Sequence, residues 1–91
     1  MNTLRFEWDE EKEKKNIRKH GISFEIAAKA FADPNRIELY DDQDYGEDRY
    51  AIIGCAGKII AVAYIMRGDI YRIISARPAT LEERRMYENG N

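Results

Sequence analysis

The 91-residue sequence predicts an α+β domain with two N-terminal helices, a small antiparallel sheet of three to four strands, and a C-terminal helix. Three observations carry the prediction. Two segments near the N-terminus have helix caps and stops; four apolar runs follow, broken by tight-turn tripeptides; and a Thr-x-x-Glu box opens the last charged stretch. A chain of this length has room for one core, so residues 1–91 are read as one domain.

The first helix is expected over 9–20. Asp9 is a capping residue, Glu10 and Glu11 place acid in the first turn, Arg18 and Lys19 place base in the last, and Gly21 stops it. Ser23 caps a second helix in which Phe24, Ala27, Ala28 and Phe31 recur on one face until Asp33-Pro34 ends it. Strands are expected at Arg36–Tyr40, Tyr50–Cys55, Ile59–Met66 and Ile70–Ala76. The last three are joined by Ala56-Gly57-Lys58 and Arg67-Gly68-Asp69, which makes an antiparallel meander. Ile59–Met66 is apolar at successive positions, so both its faces are expected to be covered and it is placed centrally. Thr80, with Glu83 three residues on, opens the last helix through a capping box.

Composition narrows the function classes. The longest apolar run, Ile59–Met66, is far short of the roughly 20 residues of a membrane span. The N-terminal Met1–Trp8 has acid and tryptophan where a secretory signal needs a basic end and an apolar stretch, so a cytoplasmic location is expected. One cysteine, Cys55, and one histidine, His20, cannot build a Cys/His zinc site. No cofactor is therefore expected; chemistry is metal-free, or uses carboxylates for a weaker ion.

The net charge of −2 argues at face value against nucleic acid. The distribution softens that objection. Residues 1–30 hold seven Lys/Arg and six Asp/Glu, residues 31–50 two and seven, and residues 51–91 six and four. The acid is concentrated in Asp33–Asp48, its densest part reading as a solvated loop, and the two ends are mildly basic. Local field outweighs the total.

Two stretches stand out chemically. A helix that packs on a core shows an apolar stripe, yet within 9–20 only Ile17 is apolar. Lys12, Asn16, Lys19 and His20 instead share one side of it. By spacing alone this stripe reads equally as a solvated face with pairs such as Glu11–Lys15. The second stretch is Arg72–Tyr87, where a strand carrying arginines enters a helix carrying Glu83, Arg84, Arg85 and Tyr87. Guanidinium groups at a strand end and helix start favour a phosphate. Each of the helix residues has a plainer alternative: Glu83 as capping partner, Tyr87 as a half-buried anchor, Arg85 as solvated. Strand alternation places Arg72 and Arg77 on opposite faces.

The pattern Trp8-Asp9-x-x-Lys12-x-x-x-Asn16-x-x-Lys19-His20-Gly21-x-x-Phe24, followed by Ile74-Ser75-Ala76-Arg77-x-Ala79-Thr80-x-x-Glu83-Arg84-Arg85-x-Tyr87, resembles the BrnT toxin family. Glu47-x-Arg49-Tyr50 and Gly54 extend the match between the motifs, so it runs from about Phe6 to Glu88. The resemblance implies a RelE-like fold, RNA cleavage that halts translation, and neutralisation by a BrnA-like ribbon-helix-helix antitoxin in a hetero-oligomer, a 2:2 assembly among them. DNA would be met only through the antitoxin, and a membrane not at all.

Metal-free RNA cleavage needs the 2′-hydroxyl deprotonated, the departing 5′-oxygen protonated, and the phosphorane charge stabilised. Within the resemblance, Lys19, His20, Arg77, Glu83 and Arg84 become the catalytic candidates, and Lys12, Asn16, Arg72 and Tyr87 the RNA-binding ones. An imidazole titrates near neutrality and suits His20 to acid or base work; a histidine beside Gly21 equally caps helix carbonyls. Glu83 is either a base or the group that orients an arginine. The rival class is a non-enzymatic interaction module that only binds an antitoxin or another protein, for which the acidic Asp41–Asp48 loop would suit a basic partner. A lone DNA regulator is disfavoured, since no helix-turn-helix spacing or basic recognition helix is present.

Overall fold

The computed structural model describes residues 3–90, and local chemistry starts each element where the caps require. A short strand β1 (Arg5–Glu7) precedes α1 (Glu10–His20). Asp9 is extended, and its carboxylate accepts from the amides of Glu11 at 2.8 Å and Lys12 at 3.3 Å. Gly21 closes α1 at φ 71°, a left-handed conformation that costs glycine little. Ser23 caps α2 (Phe24–Lys29), which tightens into a 3-10 turn at Ala30–Ala32 rather than running on as α-helix to Asp33.

Four strands follow: β2 (Ile37–Asp41), β3 (Arg49–Cys55), β4 (Ile59–Arg67) and β5 (Ile70–Pro78). The expected α3 (Leu81–Asn89) then starts on a capping box closed in both directions between Thr80 and Glu83.

The sheet is ordered β1-β5-β4-β3-β2, with β4 central as its unbroken apolar run predicts. It differs from the expected sheet in one respect. β1 adds a fifth strand, parallel to β5, so the sheet is mixed. Arg5-Phe6-Glu7 is too short to show period-2 patterning, and its strand character comes from the β5 edge it pairs with.

The core fills the face under α1 and α2. Phe24, Ile52, Ile60, Val62 and Ile73 are fully buried there, each contributing about 1.5–3 kcal/mol relative to exposure. Phe31 makes ring contacts with Phe6, Tyr64 and Tyr71 at about 5 Å between centroids. Gly54 lets the 3-10 turn lie close on β3, since a Cβ there would stand 2.8 Å from the Ala30 carbonyl oxygen. α3 contributes no buried residue and contacts β3.

Candidate nucleic-acid interface

The polar helix docks on the sheet through its polar groups. Asn16 is 7% exposed, while Ile17, the lone apolar residue of α1, is 43% exposed. β1 covers the β5 edge only along Ile70–Arg72, and beyond it Asn16 takes over as a surrogate strand. Its carboxamide donates to the Ala76 carbonyl at 2.8 Å and accepts from the Ala76 amide at 3.1 Å. A further bond from the same nitrogen reaches the Ile22 carbonyl at 2.9 Å. Beside it, Glu13 accepts from the Phe24 amide at 2.9 Å, and Trp8 packs edge-on against Phe24.

The expected stripe is therefore divided. Asn16 is turned inward with its amide fully committed, Lys12 and Lys19 are exposed, and His20 is half-buried. The absence of an apolar stripe has a physical reason: this helix replaces a missing strand, so it needs hydrogen-bonding groups where an ordinary helix needs methyls.

The two motifs meet at Ala76, where Asn16 grips a residue sixty positions away and adjacent to Arg77. Arg77 leaves toward the other face of the sheet. No hydrogen bond or ion pair joins Lys19 or His20 to Arg77, Glu83 or Arg84 among the described residues. The Lys19–His20 end of α1 lies one helical turn beyond Asn16.

Register decides the arginines. Ala63 pairs with Ser75 but Tyr64 pairs with Ile73, which leaves Ile74 as a bulge. The expectation that Arg72 and Arg77 lie on opposite faces is corrected by this extra residue: Arg72 pairs with Ile65 and Arg77 with Ala61, two residues of the same β4 face. Arg67 alternates with Ile65 and shares that face. Arg49 alternates with Ala51 and joins it from β3. Four arginines thus border the face away from α1 and α2.

Between them runs a row of mostly small side chains, Leu39, Ala51, Ala63 and Ser75, in register across four strands. The floor is shallow and its rims are cationic. In the sequence Arg49 stands out only as part of the family match and Arg67 only as a turn residue, because a residue's face depends on pairing and on the bulge, and neither is written in local composition.

Carboxylates hold the arginines in place. Arg77 forms a two-bond fork with Glu83 at 2.7 and 2.9 Å, the two side chains 41% and 20% exposed. Arg72 meets Glu7 at 3.0 Å, with Arg67 at 3.9 Å from the same carboxylate. Hydrogen bonds from Arg77 hold the Glu83 carboxyl below its ordinary range against opposing burial, with help from the Thr80 amide; Arg77 is raised in return. Glu83 is thus an ionised group whose oxygens are taken by Arg77 and its own helix cap. Arg49 stacks on Tyr45 at 3.9 Å, and its buried Nε has no partner among the described residues.

Tyr87 donates to Asp33, which also accepts from the Cys55 amide at 2.8 Å. That bond raises the Tyr87 hydroxyl to about 12. Tyr87 is therefore an anchor for α3. Arg84 is exposed and lines a hollow with Lys58, Cys55, Pro78 and Ala79 just past Arg77. Lys58 is a cation that the sequence reading treated only as a turn residue. No three His, Cys, Asp or Glu residues converge as metal ligands among the described residues, and no helix there is long and apolar enough to cross a membrane.

Comparison with known proteins follows the same lines. Residues 8–83 match the family described as "Ribonuclease toxin, BrnT, of type II toxin-antitoxin system". The fold is similar to the crystal structure of the Brucella abortus ribonuclease toxin BrnT, with a TM-score of 0.66 and 30% identity over 86% of this chain and 99% of that one. No curated protein matches.

Proposed function

The chain belongs to the BrnT family of ribonuclease toxins of type II toxin-antitoxin systems, and from that premise we propose that it cleaves RNA by metal-independent transesterification on the arginine-bordered face of its sheet. The observation that carries this reading is the β5 bulge, which puts Arg72 and Arg77 on one face with Arg49 and Arg67. Guanidinium groups held in fixed orientation by carboxylates are suited to a phosphodiester and to the charge that builds on its oxygens.

In this reading the 2′-oxygen attacks the adjacent phosphorus as its proton is removed, and the bond to the 5′-oxygen breaks as that oxygen is protonated. The products are a 2′,3′-cyclic phosphate and a 5′-hydroxyl. Arg77 stabilises the phosphorane, and Arg84 with Lys58 holds the strand past it. Arg72 holds it on the other side. His20 is assigned the proton transfers on the family motif it belongs to, which requires the scissile phosphate to sit at the β5 margin of that face, and Lys19 and Lys12 guide RNA toward it. Glu83 positions Arg77 rather than acting as base, because both its oxygens are occupied. Asn16 and Tyr87 act by holding α1 and α3. The single domain, residues 1–91, works in the cytoplasm and is silenced by a BrnA-like ribbon-helix-helix antitoxin in a hetero-oligomer, through which alone it meets DNA.

The test is incubation of purified protein with end-labelled RNA in chelator. Cleavage is expected, with Arg77→Ala slowing it about 10²–10³-fold, the range for losing one oxyanion donor. Arg77→Lys should recover only part, since an ammonium cannot reproduce the fork. Intact RNA together with undisturbed growth on expression would make the chain a binding module instead.

A further inference from the structure

The two edges of the sheet are treated differently by the chain. On the β1 side the edge is short, and beyond it Asn16 fills both backbone groups of Ala76. On the other side β2 pairs with β3 through five consecutive residues, and none of Ile37–Asp41 makes a backbone hydrogen bond outside that ladder among the described residues. Edge strands are ordinarily protected by charged side chains, proline or a bulge. Ile37-Glu38-Leu39-Tyr40-Asp41 has no proline or bulge, its only charges are the carboxylates of Glu38 and Asp41, which deter another acidic edge but not a cationic one, and Tyr40 is 59% exposed.

The charge around this open edge is predominantly acidic. Glu38 and Asp41 lie in the strand, and Asp42, Asp44, Glu47 and Asp48 follow in the loop. Against these six carboxylates stand two cations, Arg36, paired with Glu38 at 3.1 Å, and Arg49, opposite Asp41 and stacked over the Tyr45 ring.

We propose that the β2 edge is a docking strand for a basic, extended segment of a partner protein, which joins as a sixth strand and sets its cations against the Asp41–Asp48 loop. Unpaired backbone supplies the affinity of such strand addition, and side-chain charge supplies selectivity. The acid decides among occupants: an RNA backbone is repelled, and a second copy of the chain brings an equally acidic edge, whereas a cationic strand satisfies both the ladder and the field. The inference rests on the toxin reading only in expecting a protein partner. Docking there adds a strand beyond β2 and leaves the arginine-bordered floor uncovered, so the segment tethers a partner rather than plugging the site.

The experiment titrates 15N-labelled Arg77→Ala protein with the peptide acetyl-Arg-Val-Arg-Val-Arg-Val-amide. Expected are shifts and slowed amide exchange confined to Ile37–Asp41 and the following loop, no binding of the Glu-Val counterpart, and about tenfold weaker binding in Asp42→Lys/Asp44→Lys or on raising salt from about 50 to 300 mM. Shifts on α1 and α2, absence of shifts, or binding indifferent to salt would overturn the proposal. So would β2 shifts produced by an RNA oligonucleotide, or by self-association of the peptide-free protein. Cleavage by the unsubstituted protein is measured separately, so an inactive protein that still binds at β2 refutes the enzyme reading and leaves this one standing.

Discussion

Replacing Asn16 with alanine removes the joint between α1 and the sheet. Three hydrogen bonds, at 2.8, 2.9 and 3.1 Å, are lost together. What they leave behind matters more, because Ala76 is 0% and Ile22 1% exposed, so one amide and two carbonyls are stranded away from water. A typical buried hydrogen bond contributes about 1 kcal/mol net, and an unpaired buried group costs about 1–3 kcal/mol. With some relief from water entering the smaller side chain's space, the expected destabilisation is roughly 3 kcal/mol. For a domain of this size that is a fall in Tm of roughly 12–24 °C.

Urea and thermal unfolding measure it directly. Asn16→Asp should cost more than alanine, since a carboxylate would face the two carbonyls its amide now serves. A loss under about 0.5 kcal/mol, accompanied by a large drop in RNA binding, would refute the reasoning and return Asn16 to the surface role its spacing suggests.

Further outcomes follow from the same contacts. Glu83→Gln breaks the fork on Arg77 while keeping size; RNA cleavage should fall about tenfold or more, from lost orientation of Arg77. The pH dependence has a definite sign. Glu83, near 4.5 in the unfolded chain, is depressed by folding, so its stabilisation is full above that value and disappears as pH falls through the lower folded one. Burial opposes ionisation of Asp33, but its bonds from Tyr87, Asn35 and Cys55 prevail and leave it below 3.8, adding loss at still lower pH. Acid titration of Tm from pH 7 to 3 should show a falling limb below about pH 4.5 that flattens in Glu83→Gln. Tyr87→Phe should cost about 0.5–1.5 kcal/mol and speed amide exchange selectively in α3, which has no buried residue to hold it. Gly54→Ala should destabilise by about 1–3 kcal/mol, read by urea midpoint, because its new methyl meets the Ala30 backbone at 2.8 Å.

Elements whose causes are local are legible in the residue order alone. Asp9, Ser23 and Thr80 start helices because their side-chain oxygens reach amides two or three residues on, and that chemistry is complete within a few residues. The unbroken apolar run of β4 marked the centre of the sheet, because a strand covered on both faces needs no polar alternation. The two motifs, and the family they point to, were likewise legible in the order and spacing of polar residues.

Features that depend on partners distant in the chain emerge only once the strands are paired. β1 is a strand only because β5 offers an edge, and Asn16 is buried because that edge runs out of strand beyond Arg72. Lys12 and His20, at the same helical spacing, stay exposed and half-buried respectively. Arg72 and Arg77 share a face because one residue, Ile74, bulges out of register, and a period-2 rule cannot reveal a bulge that arises from the fit between two strands. A hydrogen-bonding vacancy and a register shift are properties of pairs of segments, which is why the outline of the candidate site waited for the fold.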